Sequence, residues 1–195
     1  MSVFKELSSW SSPSYIQTSP TPSVGNKAPS CSRLLLPADN GKPTVISFLR
    51  HCGCPVAEAT FITMRDAATQ YPNIDFIAVS HSDQASTEKW LEALGGPGNP
   101  SSGSVTVIVD AEREIYAKWG LGVVSWSHLF NPAALWGVLK IGKEKGIWNR
   151  PTESGSRWQC SGHWAVDGEG VVLWGGPAAR ADETIDIKKA VDALQ

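Results

Sequence analysis

What this chain of 195 residues lacks narrows its class first. No apolar run approaches the ~20 residues that a membrane-spanning helix needs. The opening MSVFKELSSWSSPSY carries no apolar core of a secretory signal. No long basic run is present, so the electrostatic footprint of a nucleic-acid binder is missing. No glycine-rich phosphate loop appears, and no organic cofactor is implied. The sequence therefore reads as a soluble cytoplasmic protein, with neither nucleic acid nor membrane as partner. Charge is modest, at 18 % charged residues and a formal net of −2, and 42 % hydrophobic residues suffice for a globular core. Cysteine is scarce as well. Four thiols in a reducing compartment do not read as structural staples, and a close pair among them reads as catalytic, redox-sensing or metal-binding.

What the chain has in excess is tryptophan. There are nine, and Trp119, Trp126, Trp136, Trp148, Trp158, Trp164 and Trp174 all fall within residues 119–195. Such rings suit pocket walls as well as cores. Residues 1–30 are rich in Ser, Pro and Thr and read as an extension, either disordered or laid across the surface, before a domain over 31–195. Within that domain strands and helices alternate. SRLLLP (32–37) is predicted as a short strand. PTVISFLR (43–50), NIDFIAVS (73–80) and SVTVIVD (104–110) are predicted as buried strands. Residues 55–71, 85–96 and AEREIYAKWGL read as helices, the first with Pro55 at its first position. Residues 163–176 read as a hairpin turning at Asp167–Gly170, and residues 182–195 as a closing helix. This order predicts an α/β three-layer sandwich with a mixed central sheet, parallel at its centre. Residues 121–160 are an insertion before the hairpin, containing a helix that starts at Asn131–Pro132.

The stretch SFLRHCGCPVAEATF (47–61) carries the chemistry. Cys52 and Cys54 follow the carboxyl end of the first buried strand and precede a helix. Open α/β sheets bind ligands at that edge, and a helix N-terminus stabilises an anion such as a thiolate. Arg50 and His51 add positive charge beside the pair. Cys54, next to Pro55, is the expected nucleophile, and Cys52 the expected resolving thiol. The alternative is that both are inert buried thiols. Cys31 and Cys160 read as small buried hydrophobes.

These residues resemble a known group. VGNKAPSCSRLLLPADNGKPTVISFLRH (24–51) is similar to the lead-in of AhpC/TSA-type peroxiredoxins, and GHWAVDGEGVVLW (162–174) to their hairpin. The resemblance covers about residues 24–195 and implies a thioredoxin-like fold. Arg50 and Cys54 match a peroxiredoxin-like subgroup with an R-x-x-x-C-x-x-C pattern, in which Ala57 stands at the second cysteine. FLRHCGCP and GIWNRPTESGSRWQ also resemble a fungal thioredoxin-like variant. Against the peroxiredoxin pattern P-x-x-x-T/S-x-x-C, Ser47 stands at the proline and His51 at the Thr/Ser. The family arginine aligns near Ser161, with Arg157 four residues earlier.

Other residues are candidates at the same edge. His81 follows the second strand and is either a general base or a solvated loop histidine. Glu58 accepts a thiol proton, orients Arg50, or simply favours the helix start. Arg157, His163, Trp126 and Trp158 are expected to bind substrate, the tryptophans either roofing an apolar pocket or forming a satellite core. Arg150 and Arg157 hold an anion or pair with Glu153. No metal is expected, since the Cys and His spacings match no standard zinc pattern. The leading function is a thiol-dependent oxidoreductase that reduces a peroxide or disulfide, acting with a thiol reductant; a homodimer is left open. The alternative is a repurposed thioredoxin fold that binds or converts an apolar metabolite without a redox cycle. A scaffold acting through the Ser/Pro-rich tail is the third reading.

Overall fold

A computed structural model describes residues 9, 10, 13–129 and 131–195. Three β-branched segments form the centre of the sheet: β1 (Thr44–Phe48), β2 (Asp75–Ser80) and β4 (Gly103–Val109). β1 pairs with β2 and β2 with β4, all parallel. The helices α1 (Pro55–Gln70) and α2 (Gln84–Ala93) make the crossovers that parallel neighbours require. A two-residue strand, β3 (Gly98–Asn99), edges β4 antiparallel and was not expected. β5 (Gly162–Val166) and β6 (Val172–Pro177) form the expected hairpin, and β5 pairs antiparallel with β1. The order β3-β4-β2-β1-β5-β6 is a mixed six-stranded sheet, in line with the predicted fold class.

All five residues of β1 are buried because both sheet faces are covered. On one face Val45 packs with Phe61, Met64 and Ala68 of α1, Trp90 of α2 and the closing helix α6 (Ile187–Asp192). On the other, Ile46 and Phe48 pack with Trp164, Trp119 and Tyr116, the last from the short α3 (Glu114–Lys118). Trp119 and Trp164 are therefore core residues of the far face. Cys31 and Cys160 pack half-buried against that same cluster.

Two predicted elements are corrected. Residues 32–37 are not a strand. Cys31 and Leu34 exchange backbone hydrogen bonds of 2.9 and 3.0 Å, which closes a tight turn instead. The closing helix is shorter than 182–195, because Asp182 pairs with Arg180 and Glu183 accepts from the Ala179 amide at 2.8 Å. Asp186 caps the helix through the Lys189 amide.

The insertion holds α4 (Trp126–Leu129) and α5 (Pro132–Lys145). α5 starts as expected, with the Asn131 side chain accepting from the Ala133 amide at 2.9 Å. At its end Gly142 admits the Trp148 ring, which lies 2.6 Å from where a Cβ would stand. Residues 13–30 cross the domain without regular structure. The Gly25 and Ala28 amides donate to Val172 and Gly170, and the Val172 amide donates to Asn26, all within 2.9 Å. These bonds tie the segment to the start of β6 and cover that end of an edge strand.

Candidate active site

The site begins where β1 and β2 end. The Leu49 amide donates to the Val79 carbonyl at 2.9 Å, and the Tyr116 hydroxyl lies 2.7 Å from the carbonyls of both Leu49 and Val79. The chain then turns through Arg50–Cys54, with the Cys54 amide donating to the His51 carbonyl at 3.1 Å. Gly53 sits at φ +101°, a conformation that side-chain-bearing residues rarely adopt. A Cβ there would stand 2.9 Å from the carbonyl oxygens of Arg150 and Pro151. The Arg150 amide completes the contact by donating to the Gly53 carbonyl at 2.9 Å. Only glycine fits between the two cysteines, because loop 149–157 lies directly on the turn.

On one side of this turn Cys54 is the N-cap residue of α1, with Pro55 at the first helical position. It opens on a cavity of about 360 Å³. The walls are apolar: Leu135, Val138 and Leu139 of α5, with Ile147, Trp148 and Trp10. The floor carries Arg50, His51 and Arg157, and among the described residues no carboxylate lines it. Arg50 is 5 % exposed. Its Nη2 donates to the Arg157 carbonyl at 2.9 Å, while Nε and Nη1 have no hydrogen-bond partner. Both ring nitrogens of His51 are likewise buried and unpartnered. Burial first, then the charges of Arg50 and Arg157, push the His51 pKa well below the usual imidazole value, so the ring is neutral. Arg157 donates to Ser9 Oγ and Thr152 Oγ1 at 3.0 Å, and its guanidinium lies 4.6 Å from the centre of the Trp10 ring.

On the other side Cys52 is held among hydroxyls. Its amide donates to Ser82 Oγ at 3.0 Å, and its sulfur lies 3.6 Å from Ser80 Oγ and 3.8 Å from Thr87 Oγ1. Burial raises its thiol pKa, against the lowering effect of these hydrogen bonds. It borders a separate cavity of about 240 Å³, lined also by Trp90, Lys89, Arg150 and Glu153.

The other sequence candidates fall away from the Cys54 cavity. His81 is buried, with the Ser156 amide donating to Nε2 at 3.1 Å. Burial holds its pKa down to about 4. It latches loop 149–157 and is buried, which corrects the expectation of a solvated side chain. His163 faces its strand partner Ser47, Nδ1 to Oγ 3.0 Å, and is also held down to about 4 by burial. It borders a small void behind Arg50 and does not line the Cys54 cavity. Trp126 and Trp158 do not line the Cys54 cavity either. Their rings stack edge-on at 4.6 Å, and the Trp158 indole donates to the Trp10 carbonyl at 2.9 Å, so they brace Trp10 from behind. Among the tryptophans, Trp10 and Trp148 line the cavity; Trp148 belongs to the cluster that the sequence offered as pocket wall or core, and Trp10 lies outside it. Glu58 takes two bonds from Arg150, at 2.8 and 3.1 Å, rather than orienting Arg50. Glu153 pairs with Lys89. Among the described residues no group of three His, Cys, Asp or Glu side chains gathers to hold a metal, and no helix is long and apolar enough to cross a membrane.

A central mixed sheet with a cysteine at the first turn of the helix after β1 defines a thioredoxin-like α/β protein. The chain belongs to the AhpC/TSA family, whose sequence profile matches residues 25–136. Two solved structures share the fold. A thiol peroxidase from Chromobacterium violaceum is 14 % identical, with a TM-score of 0.58 over 93 % of this chain and 98 % of that one. A peroxiredoxin-like protein from Aquifex aeolicus is 17 % identical, with a TM-score of 0.55 over 92 % and 90 %. No curated protein sequence matches. Membership of the family supports a thiol-dependent redox role.

Proposed function

We propose that this protein is a thiol-dependent oxidoreductase that reduces an organic hydroperoxide at Cys54. The observation that carries the reading is the seat of Cys54: the N-cap of a 16-residue helix, opening on the cavity whose floor holds Arg50 and Arg157. The first turn of such a helix favours negative charge, and the two guanidinium groups line the cavity into which the sulfur opens. In the proposed step the thiolate attacks the outer peroxide oxygen and the O–O bond breaks. The bonding pair leaves with the inner oxygen, which takes up a proton to become an alcohol, and Cys54 becomes a sulfenic acid. An external thiol condenses with the sulfenic acid, releasing water and leaving a mixed disulfide. A second external thiol frees Cys54 and departs as the oxidised disulfide.

An external reductant is favoured over Cys52 because the two thiols border different cavities. The apolar walls favour a substrate with a hydrocarbon body, since apolar burial contributes ~25 cal/mol per Å². Single-turnover oxidation by cumene hydroperoxide tests the assignment. Cys54→Ser is expected to abolish it and Cys52→Ser to leave it within about threefold, on the rule that a resolving thiol acts only after the first attack. The reverse pattern would exchange the two roles.

The non-redox reading draws on His51, which stands neutral and unpartnered at the Thr/Ser position of the peroxiredoxin pattern. It requires that a Cys52/Cys54 double serine variant keep full biological activity.

A further inference from the structure

Among the described residues, Arg50 on the floor of the Cys54 cavity has no counter-ion. A guanidinium does not lose its proton in proteins, and a buried charge is costly unless it is paired. Arg50 is 95 % buried, and Nε and Nη1 reach no acceptor, the Cys54 sulfur included. Two nearby carboxylates among the described residues are engaged elsewhere. Glu58 is held by Arg150. Glu183 borders the small void behind Arg50, but it accepts from the Ala179 amide and makes no ion pair with Arg50. Beside Arg50 the His51 ring offers an N–H with no partner. Above this polar floor the walls are hydrocarbon and indole, from Trp10, Leu135, Val138, Leu139 and Trp148. Leu135, Leu139 and Trp148 remain 52 %, 45 % and 55 % exposed, so the cavity opens to solvent through an apolar rim.

A cationic floor with donors to spare, beneath apolar walls, is complementary to an amphipathic anion. We propose that the cavity is a binding site for organic acids with an apolar body, the carboxylate seated on Arg50 and His51 and the hydrocarbon running out along α5. At about 360 Å³ the cavity lies near the lower end of small-molecule sites. By that scale it holds a chain of on the order of ten carbons. The site rests on Arg50 and the walls, not on thiol chemistry. An organic acid bound there also covers Cys54, so such acids act as blockers of the thiol.

The test is titration of the full-length reduced protein with decanoate, decanol and decylammonium, read by calorimetry and by the fluorescence of Trp10 and Trp148. Decanoate is expected to bind at least tenfold more tightly than decanol, and decylammonium most weakly. Arg50→Gln is expected to bring decanoate and decanol together, and Leu139→Glu to weaken decanoate by repulsion at the wall. Saturating decanoate is expected to slow iodoacetamide labelling of Cys54 at least fivefold and leave Cys52 unchanged. Equal affinity for decanoate and decanol in the unmodified protein overturns the proposal. So does a preference that survives in folded Arg50→Gln. Should that variant not fold, decanoate binding untouched by Leu139→Glu, or unslowed labelling of Cys54, overturns it instead. The same titration of Cys54→Ser separates this site from the redox function: binding kept there stands even if no peroxide is reduced.

Discussion

Two thiols separated by one glycine meet opposite surroundings. Cys54 opens on an apolar cavity whose floor has unpaired donors and cationic charge. Cys52 sits against Ser80 and Thr87 hydroxyls, its pKa raised by burial, at the edge of a smaller space. Gly53 creates the difference, since its positive φ reverses the chain between them. Sequence proximity thus says little about shared chemistry. What distinguishes a nucleophile from a packed thiol is the charge and access around each sulfur.

The sharpest way to break this contrast is to remove each thiol in turn. Cys54→Ser is expected to lower peroxide-dependent oxidation by more than about 10³-fold, the scale of losing a nucleophile, and Cys52→Ser to change it little. Stopped-flow tryptophan fluorescence under single-turnover conditions reads both.

The buried histidines behind the floor supply the next effect. His81 and His163 have folded pKa values of about 4, below the ordinary 6.5, because burial disfavours the charged ring. The unfolded chain therefore binds more protons than the folded one between about pH 6.5 and 4. Stability is full above pH 6.5 and is lost as pH falls through that window, by on the order of 3 kcal/mol for each histidine. Urea unfolding at stepped pH measures it. His81→Gln and His163→Gln are each expected to flatten the slope, and an unchanged slope in both single variants would show that other groups dominate.

Gly53→Ala follows, at about 2–3 kcal/mol of destabilisation from the positive φ and the two carbonyls 2.9 Å away. It is also expected to equalise the labelling rates of Cys52 and Cys54, because loop 149–157 must lift. The smallest effect concerns the latch. Arg150 is 44 % exposed while Glu58 is buried. Arg150→Ala is expected to cost about 1 kcal/mol, toward the upper end for exposed pairs, and its unfolding midpoint should move less than that of Gly53→Ala.

Much of this architecture was legible in the chain. β1, β2 and β4 announce themselves as β-branched runs, and Pro55 and Asn131–Pro132 mark helix starts through local chemistry that needs no tertiary partner. The errors fell where composition does not give geometry. SRLLLP has strand composition, yet the bonds between Cys31 and Leu34 close a turn. At the site, Arg50, His51 and Cys54 were legible because they are neighbours in one turn. Arg157, identified from sequence as a substrate residue, also lines the cavity. Trp126, Trp158 and His163 do not line the Cys54 cavity, and a count of aromatic or basic residues carries no direction. The rings that line the cavity, Trp10 and Trp148, arrive from the N-terminal extension and from the insertion. Their only signal was weak: an aromatic in a Ser/Pro-rich tail, and a tryptophan shortly after a glycine-containing helix.

The central claim, that Cys54 and not Cys52 is the nucleophile, is tested most directly by trapping the sulfenic acid. Reduced protein is treated with one equivalent of cumene hydroperoxide in the presence of dimedone, and the peptide spanning residues 51–65 is fragmented by mass spectrometry. The expected result is a dimedone adduct on Cys54 with Cys52 still a free thiol. An adduct confined to Cys52, or two intact thiols after the peroxide is offered, would contradict the account.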